Sequence, residues 1–357
     1  MERILTDKAN YLSGKGYDVT IVTTEQKGRA VAFPLNPGVK TIDLGIGYED
    51  NNGGSFLSKA LLHPFKQLRH RRQLKATLLS ERPDVTVSLF CGDERFLPAI
   101  KDGSKKILEV HFSRFKRLQY GRKGLWALAD RLRSRRDYEV VRRFDRFVCL
   151  TNEDFVYWGS PQNGRVIPNF INQLPLEPST LDGKVVLSAG RYDYQKGLER
   201  LIQAWSLVEG KHGWTLRLVG NGPQEAALKA QVKALGLEDS VQVAGPAKDM
   251  ATEYAGASVL ALSSRYEGLP MVLLEAQAWG LPVAAFDCKC GPRDVITNGE
   301  DGFLVPEGDV SALALALETL IKDDALRSQM GKNARSNSSR WEEETIMTQW
   351  ITLFHQI

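Results

Sequence analysis

A chain of 357 residues with 43% hydrophobic residues is long enough for two packed domains, and no apolar stretch reaches the roughly 20 residues of a membrane span. The net charge of +4 hides an asymmetry, because residues 1–170 hold 30 basic and 19 acidic side chains while the remainder holds 17 and 24. Four cysteines form no Cys-x-x-Cys pair, so neither a disulfide framework nor a thiolate metal site is expected.

Short β-branched runs alternate along the chain with longer amphipathic stretches. The predicted strands are Asp18–Thr23, Asp84–Phe90, Lys106–His111, Arg146–Thr151, Lys184–Ala189, Thr215–Val219, Val241–Ala244, Ser258–Leu262, Pro282–Phe286 and Phe303–Val305. Helical patterns include Leu198–Val208, Gln224–Leu235, Pro270–Trp279 and Val310–Ile321. Near-continuous apolar strands separated by helices predict an α/β fold with parallel sheets covered on both faces.

A polar, proline-bearing segment over residues 171–183 contains no strand pattern and predicts a linker between two domains. The first domain is expected over residues 1–170 and the second over 184–337. Both are predicted to be doubly wound parallel sheets that face a cleft. Ligands in such sheets bind beyond the carboxyl ends of the strands.

The first candidate motif follows the strand Lys184–Ala189. Gly190-Arg191 lies in the turn, and Lys196-Gly197 opens the next helix, where backbone N–H groups favour an anion. Arg191 offers bidentate donors and Lys196 a compact positive charge, which together suit a diphosphate. Taken alone, an exposed turn with two ordinary basic residues is the more common explanation.

Two further turns have the same position after a strand. Thr215–Val219 ends in Gly220-Asn221-Gly222-Pro223, where glycines allow close approach of a ligand to the backbone. Gly245-Pro246 follows the next strand and is placed to flank a nucleobase. A plain turn is again the alternative at each position.

The most specific pattern is the pair of glutamates eight positions apart, Glu267 and Glu275. Gly268, Leu269 and Pro270 shape a loop before a helix that begins near Met271. Glu275 falls one turn into that helix, so the two carboxylates can bind different hydroxyls of one ligand. The alternative for Glu275 is interaction with the helix dipole.

These segments resemble glycosyltransferase family 4, the retaining GT-B enzymes of the glycosyl transferases group 1 family. The resemblance extends through Cys290-Gly-Pro-Arg-Asp-Val-Ile296 and Asp301-Gly302 and is specific over residues 184–306. It implies the GT-B fold, with a C-terminal helix over 338–357 that returns to the first domain. It also implies the type of sugar transferase that makes bacterial surface polysaccharide.

The resemblance implies roles for individual residues. Residues matching Arg191 and Lys196 contact the donor diphosphate, the one matching Glu275 holds the ribose hydroxyls, and the one matching Glu267 lies near the transferred sugar. His111 resembles the histidine that hydrogen-bonds the donor sugar, with a structural histidine as the alternative. The predicted catalytic residues are His111, Glu267, Arg191 and Lys196, and the predicted donor contacts are Gly190, Arg191, Lys196, Gly220, Asn221, Gly245, Pro246, Glu267, Gly268, Leu269, Pro270, Met271 and Glu275.

One departure concerns the first domain. Members of the family usually begin with a strand and a glycine-rich loop ahead of the helix that here covers Met1–Leu12. The first domain is therefore expected to lack its first strand, with Thr20–Thr23 as the second. A misassigned start or a fragment is favoured over a degraded, inactive copy.

The function expected from the resemblance is transfer of a hexosyl unit from a nucleoside-diphosphate sugar, with UDP favoured, to a glycan or lipid-linked glycan. No Asp-x-Asp occurs in the chain, so neither a metal nor another cofactor is expected, and Arg191, Lys196 and helix N-termini would stabilise the leaving group. A nucleotide-sugar 2-epimerase of the same fold and an inactive nucleotide-sugar-binding paralogue are the alternatives.

Basic residues cluster in the first domain at Lys66–Lys75, Arg114–Lys123 and Arg131–Arg143. Solvated helix faces explain them as well as an anionic membrane surface does. A nucleic-acid partner is not expected, because no recognised module accompanies the charge. The expected location is cytoplasmic, with a peripheral position on the inner membrane face.

Overall fold

The computed structural model describes residues 1–51, 56–116, 124–172 and 174–357. Within these ranges no helix is both long and apolar enough to cross a membrane. The helices are α1 Glu2–Gly14, α2 Phe56–Glu81, α3 Leu125–Val141, α4 Asn152–Tyr157, α5 Leu198–Leu207, α6 Glu225–Ala234, α7 Met250–Ala255, α8 Met271–Ala278, α9 Pro292–Val295, α10 Val310–Lys322, α11 Asp324–Asn337 and α12 Glu343–His355. The strands are β1 Thr20–Thr23, β2 Lys40–Asp43, β3 Val85–Ser88, β4 Lys105–Val110, β5 Arg146–Cys149, β6 Gly164–Val166, β7 Val185–Ala189, β8 Thr215–Val219, β9 Val241–Val243, β10 Val259–Leu262, β11 Val283–Asp287 and β12 Gly302–Pro306.

The strands of the first domain lie in two parallel sheets. One holds β1 and β2, and the other has the order β3-β4-β5-β6. Their common core includes Leu97, Leu108, Phe147 and Trp158, each buried at or near zero exposure. The expected absence of a first strand in this domain stays a prediction.

The second domain is built on one six-stranded parallel sheet in the order β12-β11-β10-β7-β8-β9. One apolar cluster around Trp205 and Leu317 covers one face, and another around Leu273 and Leu274 covers the other. Every residue of β10 is buried, as expected for a central strand. The order reverses between β7 and β10, so a crevice opens where their carboxyl ends diverge.

The predicted α/β architecture of two parallel-sheet domains is confirmed. The strand predicted at Thr215–Val219 matches β8, and α8 begins at Met271 as predicted. Two short strands were missed by the sequence analysis. β2 presents mostly exposed residues and β6 has only three, so neither carries an apolar pattern.

Helix α12 packs on the first domain although it follows the second in sequence. It contributes four buried apolar side chains, Ile346, Met347, Trp350 and Leu353, to a shared cluster. The first domain contributes residues of β4, β5 and the segment after β6, which are Ile107, Val148, Ile167 and Phe170. The chain therefore crosses between the domains a second time, and apolar burial holds its end in place.

Replacing Trp350 with alanine should destabilise the first domain by about 3–5 kcal/mol, because Trp350 is 2% exposed and packs within this cluster. Gln349→Ala is the matched control, since Gln349 is an exposed neighbour on the same helix. Urea unfolding followed by fluorescence measures both variants. Equal midpoints for the two would show that α12 is not needed for the stability of that domain.

Candidate active site

Three glycine turns lie side by side at the carboxyl edge of the second sheet. Gly190 N donates to Val219 O at 2.9 Å, and Gly220 N donates to Gly245 O at 2.8 Å. A Cβ on Gly220, whose φ is 148°, would lie 1.9 Å from Gly190 O, so only glycine fits. The predicted donor-binding turns are thus adjacent, with Asn221 and Pro246 in the same two turns.

An ion pair occupies the crevice between β7 and β10. Lys196 Nζ lies 2.7 Å from Glu267 Oε1, and the Ser264 hydroxyl donates to the same carboxylate at 2.5 Å. Gln195 Nε2 lies 3.4 Å from the other carboxylate oxygen. Glu267 is buried and the Lys196 side chain is 17% exposed, so the pair is largely shielded from water.

Glycine at position 197 makes this pair possible. Gly197 lies in the left-handed region at the start of α5, and a Cβ there would be 2.5 Å from Ser263 O. The turn after β7 can therefore pack directly against the end of β10. This close packing places Lys196 beside Glu267.

Arg191 lies apart from the buried pair. Its side chain is 74% exposed, and its guanidinium contacts Asp193 at 2.8 Å. No contact between Arg191 and the Lys196–Glu267 pair is found among the described residues. The structure therefore places Arg191 on the same loop, at the open side of the crevice.

Glu275 faces a second part of the crevice. The Tyr254 hydroxyl donates to Glu275 Oε2 at 2.6 Å, and Arg3 of the first domain lies 3.7 Å from Oε1. Burial raises the pKa of Glu275, although the hydrogen bond from Tyr254 opposes that shift. The carboxylate is held by a side chain rather than by the helix N-terminus.

The first domain contacts the Glu267 loop through His111. His111 follows β4, and its Nε2 lies 2.9 Å from Glu109 Oε1. Across the cleft, a Cβ on Gly268 would be 2.7 Å from His111 O. Leu269 is buried beside this contact, and Pro270 caps α8 ahead of Met271. His111 and Glu267 are thus on opposite walls of one narrow cleft.

Sequence reasoning missed several side chains of the site. Ser264 and Gln195 adjoin the predicted motif residues, so their polar character was a usable signal. Tyr254 gave none, because it comes from a separate helix. The buried cysteines Cys288 and Cys290 carry free thiols.

Residues 175–337 match the family model of the glycosyl transferases group 1. The chain carries a glycosyl transferases group 1 domain.

Three relatives are similar to this chain in sequence. The chain is 29% identical to an uncharacterized glycosyltransferase of Haemophilus influenzae over 98% of this chain and 94% of that protein. It is 40% identical to an exopolysaccharide phosphotransferase of Streptomyces coelicolor over 54% of this chain but 20% of that protein. It is 27% identical to an N-acetylgalactosaminyltransferase of Campylobacter jejuni, named for an undecaprenol-diphosphate-linked glycan, over 53% of each chain.

Solved structures share the fold of the whole chain. Sucrose-phosphate synthase of Thermosynechococcus elongatus has a TM-score of 0.81 at 22% identity, covering 99% of this chain and 92% of that chain. A lipopolysaccharide outer core galactosyltransferase has a TM-score of 0.76 at 18% identity, covering 99% and 95%. An Anabaena protein, HepE, solved with UDP-glucose, has a TM-score of 0.74 at 18% identity, covering 100% and 96%. The fold is therefore GT-B.

Gly268→Ala should reduce turnover, because its Cβ would meet the backbone of His111 and force the cleft open. A displacement on the order of 1 Å can cost on the order of 100-fold in rate. Gly14→Ala is the control, since no atom lies within 4 Å of a Cβ there. Initial-rate kinetics measure the turnover of both variants. A wild-type rate for Gly268→Ala would show that this close approach is dispensable.

Proposed function

We propose that this protein is a hexosyltransferase, which transfers a sugar from a UDP-sugar to a glycan acceptor with retention of anomeric configuration. The observation that supports this best is the shielded Lys196–Glu267 pair at the crevice, with His111 on the opposite wall. A positive group, a carboxylate and an imidazole thus surround the point where a donor sugar and its phosphate would meet.

The donor nucleotide is proposed to lie across the three glycine turns. Lys196 would contact its diphosphate, with Arg191 turning from Asp193 to assist. The first amides of α8, at Met271, add a positive helix end. The likeness in fold to HepE, which was solved with UDP-glucose, is consistent with a UDP donor.

The proposed step needs no enzyme nucleophile. An acceptor oxygen attacks the anomeric carbon from the face that the leaving group vacates. The bond from that carbon to the phosphate oxygen breaks, the bond to the acceptor oxygen forms, and the acceptor proton passes to the departing phosphate. The role of Lys196 and Arg191 is to stabilise the charge that develops on UDP, by preorganised electrostatics.

Neither a metal nor another cofactor is part of the proposal. Two side-chain cations and a helix end supply the positive charge that a divalent ion supplies elsewhere, and the chain contains no Asp-x-Asp. Nucleic acid is likewise not proposed as a partner.

Lys196→Ala should lower kcat by roughly 100- to 1000-fold in a screen that measures UDP release, because one preorganised charge is lost. Arg191→Ala should abolish turnover, because the second of the two proposed cations is then lost. Lys229→Ala is the matched control, since Lys229 is an exposed lysine paired with Glu225 on α6. Turnover by the wild type should persist in EDTA. Near-wild-type rates for Arg191→Ala or Lys196→Ala would overturn the proposed role of these cations.

The same screen separates the alternatives. A 2-epimerase would convert the donor to an isomer when no acceptor is present, and product analysis detects this. An inactive binding protein would bind UDP in a calorimeter without turnover of any donor.

A lipid-linked acceptor at an anionic membrane surface is the second part of the proposal, within surface-polysaccharide synthesis. Helix α2 exposes Phe65, 72% accessible, with Leu62 and Leu68 nearby in the helical repeat. Exposed Arg69 and Arg72 are one turn further on. Apolar side chains next to arginines suit the boundary between headgroups and acyl chains.

Helix α3 repeats this combination, with exposed Leu128 and Leu132 close to Arg131 and Arg135. The 117–123 part of the predicted Arg114–Lys123 cluster lies outside the described residues. The relative named for an undecaprenol-diphosphate-linked glycan is consistent with a lipid-linked acceptor for this chain.

Liposome flotation tests the membrane claim. The wild type should float with vesicles that contain anionic lipid and stay behind with neutral ones, since each near-surface arginine contributes about 1 kcal/mol. Phe65→Ser should weaken flotation, whereas Leu315→Ser, at a 65% exposed leucine of the second domain, should not. Equal flotation with both kinds of vesicle would remove the membrane from the proposal.

A further inference from the structure

A buried charged pair lies directly behind His111. Glu109, the fifth residue of β4, is 2% exposed and accepts a hydrogen bond from Lys8 Nζ at Oε1. The same oxygen lies 2.9 Å from His111 Nε2. Lys8 comes from α1 and is itself 8% exposed. Its ammonium also lies 4.2 Å from the ring centroid of Trp350 on α12. Helix α1 and strand β4 therefore meet at the Lys8–Glu109 contact, and α12 covers Lys8.

The surroundings of Glu109 decide its protonation. Burial alone would raise the pKa of this carboxyl, but the neighbouring Lys8 and His111 lower that pKa to about 2. Glu109 is therefore a carboxylate, which can only accept hydrogen bonds.

An acceptor-only partner fixes the tautomer of the imidazole. The ring nitrogen that faces Glu109 must carry the proton, so the neutral ring of His111 has a proton on Nε2 and a free lone pair on Nδ1. The opposite wall of the cleft, Gly268 next to Glu267, packs against the backbone of the same residue. The backbone of His111 thus borders the place where the proposed donor sugar would lie.

We propose that Lys8 and Glu109 are positioning residues that hold His111 as the Nε2–H tautomer, so that Nδ1 accepts a hydrogen bond from a hydroxyl of the transferred sugar. This rests on the proposed function for its substrate, but the tautomer itself does not. Lys8 keeps Glu109 ionised, and Glu109 sets the direction of the proton on His111. The competing explanation is a purely structural ion pair between α1 and β4.

The test uses the full chain with histidine labelled in its ring by ¹³C and ¹⁵N. The chain has five histidines, and His111→Gln assigns the signal of interest by its loss. Ring shifts of the wild type should report a single Nε2–H tautomer without any substrate present. A populated Nδ1–H tautomer in the wild type would overturn the proposal at once, whether or not any UDP-sugar is turned over.

Two double variants separate positioning from structure. Lys8→Met with Glu109→Leu replaces the buried pair by apolar side chains of similar size, a change that is often neutral for stability. It should release the tautomer and lower kcat/KM about tenfold, the value of one hydrogen bond. Lys8→Met with Glu109→Gln restores a carbonyl oxygen beside an amide donor, so it should recover only part of the tautomer preference and part of the rate.

Each other outcome is decisive as well. If the Met/Leu variant keeps the wild-type tautomer, or keeps the wild-type kcat/KM, the pair is structural and the proposal fails. If the variant loses rate while the tautomer is unchanged, the proposal fails for the same reason. If the wild type releases UDP from no donor, the proposed function fails, and the tautomer measurement still stands.

Discussion

The site depends on the Lys196–Glu267 ion pair, which lies shielded from water at the ends of the two central strands of the second sheet, β7 and β10. Burying a charge pair is costly unless its remaining hydrogen-bonding capacity is satisfied, and removing one partner is costlier still. Glu267 has Ser264 and Gln195 as further donors besides Lys196. Lys196 can therefore turn toward an anion without leaving the carboxylate alone, which suits a cation that must serve a ligand.

The cleft geometry depends equally on how the domains are joined. Asp294 of the second domain accepts a hydrogen bond at 2.7 Å from Asn152 N, the first backbone amide of α4. In the other direction, Cys290 N of the second domain donates a hydrogen bond to Glu153 at 2.8 Å. Cys290 has a φ of 65°, an uncommon conformation for a residue other than glycine. These polar contacts and the apolar burial of α12 both join the two domains between which Gly268 approaches His111.

The buried strands and the glycine turns after them could be predicted from sequence for physical reasons. Strand β10 is buried on both faces, and β8 alternates buried with partly exposed residues, so the apolar pattern of each identifies it as a strand. The turns after them contain glycines where another backbone approaches closely, as at Gly220. The exposed edge strand β2 has no such pattern and was missed. The Lys8–Glu109 contact joins residues 101 positions apart, and no local periodicity encodes it.

The partners of Glu275 are also distant in sequence, so sequence patterns could not predict them. Its hydrogen bond comes from Tyr254 on α7, 21 positions earlier, and its ionic neighbour is Arg3 of the first domain. Tyr254 stacks on Trp279 with ring centroids 6.4 Å apart, so the phenol is fixed before any ligand arrives. One oxygen of Glu275 is thereby already oriented, and the other faces Arg3 across the cleft. For the proposed donor, a ribose hydroxyl would meet a carboxylate held in place by one domain and electrostatically coupled to the other. Closing the cleft and binding the nucleotide would then favour each other, since both bring partners to the same two oxygens.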